Sequence, residues 1–220
     1  MGSIIQNAAN NIGANGVFSS SALNNTSLSG ISALPSGAGG KLKLLSTQTA
    51  SNSTTTSFTS GIDSTYPIYI IDLINIHNDT SDVYLQFNFS TDGGSTYNVT
   101  KTTTAFNAYH TETDAAAALS YEASVDLAQG TGSQRLTAGQ HNVSDTGHSG
   151  RIIIFNPSSN TFVKHFMSDI STTGYDGANE YNYHMFIAGY GNTTSPINAI
   201  QFSMNSGTHD GTFKLYGISA

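Results

Sequence analysis

Val83, Leu85, Phe87 and Phe89 alternate with Tyr84, Gln86, Asn88 and Ser90, and a period of two puts the first set on one buried face of a β-strand. The run ends at Thr91-Asp92-Gly93-Gly94-Ser95, which is hairpin chemistry because glycine takes positive φ at little cost. Strand patterns recur at Lys41–Thr49, Thr54–Ser60, Ile68–His77, Ala105–Thr111, Arg151–Asn156, Thr161–Ile170, Tyr181–Tyr190, Ala199–Met204 and Thr212–Ile218, with turn residues between them. About ten short strands so spaced predict an all-β fold, an antiparallel β-sandwich of jelly-roll type, over residues 41–220.

Two segments depart from that regularity. Ile68–His77 reads IYIIDLINIH and is apolar on both faces, with Ile68, Ile70, Ile74 and Ile76 on one and Tyr69, Ile71 and Leu73 on the other. A strand apolar on both sides must be covered twice, by the second sheet and by a loop or another subunit. Tyr69, Ile71 and Leu73 are the expected subunit interface. The second segment, Glu112–Gly150, is long and irregular, and its alanine run at Asp114–Leu119 predicts a short helix. Loops of that length usually make functional contacts.

Residues 1–40 form a different kind of segment, rich in Asn, Gly, Ser and Ala and dotted with single aliphatics: Ile4, Ile5, Ile12, Val17, Leu23, Leu28, Ile31 and Leu34. So thin an apolar supply cannot bury a core of its own. A solvated tail usually carries charge, and this one carries none, so the expectation is an extended anchoring arm lying on a partner surface through Ile4, Ile5, Ile12, Leu23, Leu28, Ile31 and Leu34. Pro35 and the glycines that follow make a hinge before the first strand.

Composition narrows the function classes. Thirty serines, 27 threonines and 20 asparagines in 220 residues compete with helix hydrogen bonding and favour turns and strands. Seven basic against 14 acidic residues give a net charge of −7, which repels a polyanion, so nucleic acid is not an expected partner. No stretch approaches the length of a membrane span, and the first basic residue, Lys41, comes too late for the start of a secretory signal. The expectation is a protein made in the cytoplasm with no membrane partner. The absence of cysteine removes disulfides, thiolate metal sites and cysteine nucleophiles.

Candidate chemistry is sparse. Among the seven histidines, His141 and His148 flank Asp145 in a glycine-containing loop, a pattern read first as an exposed loop pair and only second as a metal site. His165 and His184 alternate with apolar residues and read as polar-face or interface residues. The turn at Asp92 needs no calcium ion to explain it, and the nucleophile-elbow, phosphate-loop and dinucleotide motifs are missing. The expectation is therefore no catalytic residues, no metal and no cofactor. Sugar recognition has more to recommend it, because aromatic rings stack on sugar faces while amides and carboxylates hold hydroxyls. Tyr175, Asp176, Asn179 and Tyr183 are the candidate glycan contacts, set against the plainer reading that Tyr181 and Tyr183 share one packed strand face.

Four phrases carry a resemblance: SLSGISALPSG at 27–37, KLLSTQTASNSTTTSFTSGIDSTY at 43–66, FNFSTDGGSTYNV at 87–99 and INAIQFSMNSGTHDGTFKLYGIS at 197–219. Together they resemble uncharacterised virion structural proteins of marine tailed bacteriophages, especially cyanophages. The resemblance implies a capsid decoration, head-fibre or tail-fibre component, assembled in the host cytoplasm and located in the virion, with capsid or tail proteins as partners. It brings no catalytic residues. Such surface modules commonly form threefold assemblies, so a homotrimer is the expected oligomer. The alternative is a tail adhesin that recognises host surface glycan, followed by a polysaccharide depolymerase.

Overall fold

A computed structural model of the chain describes residues 41–175 and 180–219. Twelve strands make up the described secondary structure: β1 (Leu42–Ser53), β2 (Thr55–Phe58), β3 (Ile68–Asn78), β4 (Leu85–Ser90), β5 (Lys101–Thr111), β6 (Ala117–Tyr121), β7 (Gln134–Arg135), β8 (His148–Phe155), β9 (Lys164–Tyr175), β10 (Glu180–Gly191), β11 (Ala199–Met204) and β12 (His209–Ile218). They form two antiparallel sheets, one of eight strands in the order β1-β12-β3-β8-β9-β10-β5-β6 and one of four in the order β2-β11-β4-β7. The protein is an all-β sandwich, as the alternating pattern predicts. The chain passes repeatedly from sheet to sheet, so that both strands flanking β11 in sequence, β10 and β12, belong to the larger sheet.

The core lies between the sheets. From the small sheet Phe87, Phe89 and Phe202 point inward and meet Phe166 and Phe213 of the large one: Phe87 packs edge-on to Phe166 at 5.2 Å, Phe89 to Phe166 at 5.5 Å, and Phe202 against Phe213 at 5.1 Å. Each such pair adds about 0.5–1.5 kcal/mol beyond the area it buries. Leu215, Ile71, Ile152, Ser168, Ile187 and Ala105 form one inward row across six strands of the large sheet.

Three expectations are corrected. Tyr69, Ile71 and Leu73 are no subunit interface: they lie in the intersheet core with exposures of 0%, 0% and 1%. The aliphatics that β3 leaves on the outside are Ile68, Ile70 and Ile74, while Ile76 turns inward. A bulge causes that switch. Asn75 has a φ of 49° and Gly211, on the paired strand, a φ of 131°, and the register slips between Leu73 and Ile76, so strict alternation breaks at Asn75. A side chain on Gly211 would strike the Asn75 carbonyl at 2.7 Å, which makes glycine necessary there.

The alanine run is not a helix either. Residues 117–121 form β6, the edge of the large sheet, paired with β5 so that Ala118 faces Tyr109 and Ser120 faces Asn107. The Asp92 turn has the expected glycine conformations, with φ of 72° at Gly93 and 90° at Gly94, yet it closes no hairpin between partners. The strand before it, β4, lies in the small sheet, and β5, the next strand, lies in the large one. The arm residues Ile4, Ile5, Ile12, Leu23, Leu28, Ile31 and Leu34, together with Asp176 and Asn179, lie outside the described residues.

Candidate functional site

Side chains that alternate with the core row point to the other side of the large sheet, where an uncovered antiparallel sheet normally carries polar residues. Here they are largely apolar. Tyr216, Ile70, Ile153, Met167 and Ala188 stand side by side on β12, β3, β8, β9 and β10. A neighbouring row holds Ile218, Ile68 and Phe155 on β12, β3 and β8, and His165 stands opposite Tyr190 on β9 and β10. On the other flank Phe186 faces Phe106 and Phe106 faces Tyr121; the two phenylalanine rings stack at 5.0 Å with their planes 16° apart. Met167 is 53% exposed and Phe106 43%.

Around Met167 the charges lie on one line. Lys214, Asp72, Arg151 and Asp169 occupy successive strands β12, β3, β8 and β9. Arg151 Nη2 lies 3.2 Å from Asp72 Oδ1, and Asp169 pairs with His184, whose ring rests on Phe186 at 4.0 Å. Two shallow depressions flank Met167. One, of about 280 Å³, is bordered by Phe106, Arg151, Ile153, Asp169 and Phe186; the other, of about 410 Å³, is bordered by Phe155, His165, Ala188 and Tyr190. Farther along, the same face becomes polar, in a groove of about 530 Å³ lined by Asn75, His77, Asp145, Ser149, Ser171 and Thr173.

Sequence reasoning missed this surface because its residues come from β3, β5, β8, β9, β10 and β12. One local sign was present: Arg151–Phe155 reads RIIIF, apolar at both parities like Ile68–His77, and two such strands lie side by side. Met167 and Phe106 are single apolar residues at solvent-facing positions and gave no such sign.

The tyrosines form a second feature, at the rim of the interior. Tyr183 and Tyr181 share the inward face of β10, edge-on at 4.6 Å, and Tyr109 of β5 lies 5.3 Å from Tyr183. Partial burial pushes the Tyr183 hydroxyl pKa up, and nearby Glu122 adds to the shift. The Glu122 carboxylate accepts hydrogen bonds from Asn107 Nδ2 at 2.8 Å and Ser120 Oγ at 2.9 Å, while the Arg135 guanidinium sits 4.3 Å above the Tyr84 ring. Tyr175 packs against His141 at 4.3 Å and borders a depression of about 260 Å³ with Val143 and Glu180.

The two loop histidines do not converge. The side chain of His148 is wholly buried, with Nδ1 3.2 Å from Thr172 Oγ1, whereas His141 Nε2 meets Asp82 at 3.3 Å. Among the described residues no group of three or more His, Asp or Glu side chains is placed to hold a metal ion. The Asp92 carboxylate serves its own turn, accepting hydrogen bonds from Ser90 Oγ and the Thr96 amide, and these hold its pKa down to about 2. No protein-family model matches the chain, no curated protein matches it, and no solved structure matches its fold.

Proposed function

We propose that the protein is a non-enzymatic structural component of a tailed-phage virion exterior, a capsid decoration or fibre protein anchored by its first forty residues. The observation that carries this reading is the broad apolar outer face of the eight-stranded sheet. A surface of that kind is a place for protein to pack, since water gains nothing from it. The charge-free leader and the resemblance to virion proteins support the same reading. Deleting residues 1–36 is expected to leave a folded sandwich that no longer joins particles, read by mass spectrometry of purified virions. Undiminished incorporation would remove the anchoring role.

A second reading, a tail adhesin for host surface glycan, is favoured by the tyrosine cluster. Tyr109, Tyr181 and Tyr183 offer ring faces beside Glu122, Asn107 and Arg135, the combination of stacking and directed hydrogen bonding that sugars require. On that reading Tyr183→Ala abolishes binding to host polysaccharide in an adsorption assay while the far-ultraviolet circular dichroism stays unchanged. Equal binding by the variant and the native protein would end it.

A further inference from the structure

Around Met167 the outer face of the eight-stranded sheet is wide, largely apolar and balanced in charge, and each property restricts what can cover it. Eight strands ~4.8 Å apart and three outward rows ~6.7 Å apart outline roughly 700 Å². That outline takes in the charged row as well as the apolar ones, and each partner in a stable complex buries about 800 Å². The face is therefore of the size of one complete protein–protein contact.

Charge points to the partner. The chain carries a net −7, so two copies repel one another over most approaches. On this face Lys214, Asp72, Arg151 and Asp169 alternate in sign along a single row. Four charges alternating in this way, reversed end for end, set every cation opposite an anion. A second copy turned about a twofold axis thus meets complementary charge here. The distribution of apolar residues adds the symmetry. Nine large hydrophobic side chains are exposed among the described residues, and all but Val143 and Phe162 stand on this face. A head-to-tail contact needs two different complementary patches, whereas a twofold contact needs one patch that matches itself.

We infer that this face is covered by the same face of a second copy of the chain, related by a twofold axis that passes between β3 and β8, at the middle of the charged row, so that Met167 on β9 lies inside the contact. The inference rests on reading the chain as an assembly module and names that module's partner, a twofold mate in place of the threefold assembly that the resemblance implies. The sheets lie face to face about 10 Å apart, as in the packing of two sheets within a sandwich. The depressions on either side of Met167 receive side chains of the partner.

Two measurements on the full-length chain test it: mass by sedimentation velocity over a concentration series, and peroxide oxidation of Met167 followed by peptide mass spectrometry. The expected result is twice the chain mass, with Met167 oxidised severalfold more slowly at dimeric than at monomeric concentrations. Met167→Asp is expected to raise the dissociation constant by about 100-fold or more, and Phe162→Asp, on a loop, to leave it unchanged, with circular dichroism confirming that both variants fold. Four results overturn the inference: a monomer with freely oxidised Met167; a monomer with protected Met167, which assigns the cover to residues 1–40 of the same chain; a trimer, which requires two different patches; or a dimer indifferent to Met167→Asp. Particles that incorporate a monomeric chain overturn the pairing and leave the virion reading standing. A dimer that never joins particles does the reverse.

Discussion

His148 is, through its burial, a source of acid sensitivity in this sandwich. It is fully buried, its Nε2 has no hydrogen-bond partner, and burial, reinforced by repulsion from His77, pushes its pKa down to about 3. His209, buried with its Nε2 2.8 Å from Thr56 Oγ1, is displaced in the same direction by burial. A histidine whose folded pKa lies below its unfolded value is neutral in the fold and takes up a proton on unfolding. Its contribution to stability is complete above the unfolded value near 6.5 and is lost as pH falls toward the folded value. Denaturant midpoints are expected to fall from about pH 7 to about pH 4, at up to about 1.4 kcal/mol per pH unit for each such histidine. His148→Asn should flatten that slope, and an unchanged slope would place the acid sensitivity elsewhere. Lys101 shows another solution to burial: its pKa is pushed down to about 8, and its ammonium donates to Asn88 Oδ1 at 2.5 Å and to the Val99 carbonyl at 2.8 Å. None of these burials is legible in a linear pattern: His148, between Gly147 and Gly150, reads as half of an exposed loop pair.

At the scale of elements, alternation and turn chemistry located most strands, and the failures have definite causes. The alanine run has strong intrinsic helix propensity, yet it lies at a sheet edge where β5 offers unpaired backbone groups, and tertiary pairing prevails. The distinction is measurable by amide hydrogen exchange. Glu122 donates its amide to the Ala105 carbonyl at 2.9 Å, and Ala118 and Ser120 occupy the equivalent positions opposite Tyr109 and Asn107. Ala118, Ser120 and Glu122 are therefore expected to exchange slowly, and Ala117, Leu119 and Tyr121 quickly. Slow exchange at consecutive residues would mean a helix. In β3, period two correctly separated Tyr69, Ile71 and Leu73 from Ile68 and Ile70. Periodicity alone cannot say which of two apolar faces meets the second sheet, and here the aromatic-bearing face does.

For the whole molecule, the buried core cluster among the described residues begins at Ala50, with Leu45 packed against it. A chain lacking residues 1–36 is therefore expected to keep the thermal transition of the full chain while losing particle incorporation. The interior is graded along the sandwich. Phenylalanines fill its middle, and tyrosines, Gln140, Asn78 and His148 occupy other parts, with Gln140 and Asn78 fully buried. The exterior of the large sheet is graded too, from the apolar surface around Met167 to the polar groove at His77 and Ser149. One face can therefore pair with another copy while its polar end stays in water.

The sequence by itself determined the class of the fold and most of its strands, since side-chain alternation and glycine-rich turns are properties of neighbours along the chain. It also identified which strands are apolar on both sides. Only the tertiary structure decided which of those sides became core, joined Ile70, Ile153 and Met167 into one surface, and turned the alanine run into an edge strand. Those outcomes depend on strand order and register, which are set by pairings between residues far apart in the chain and leave no period for a local pattern to show.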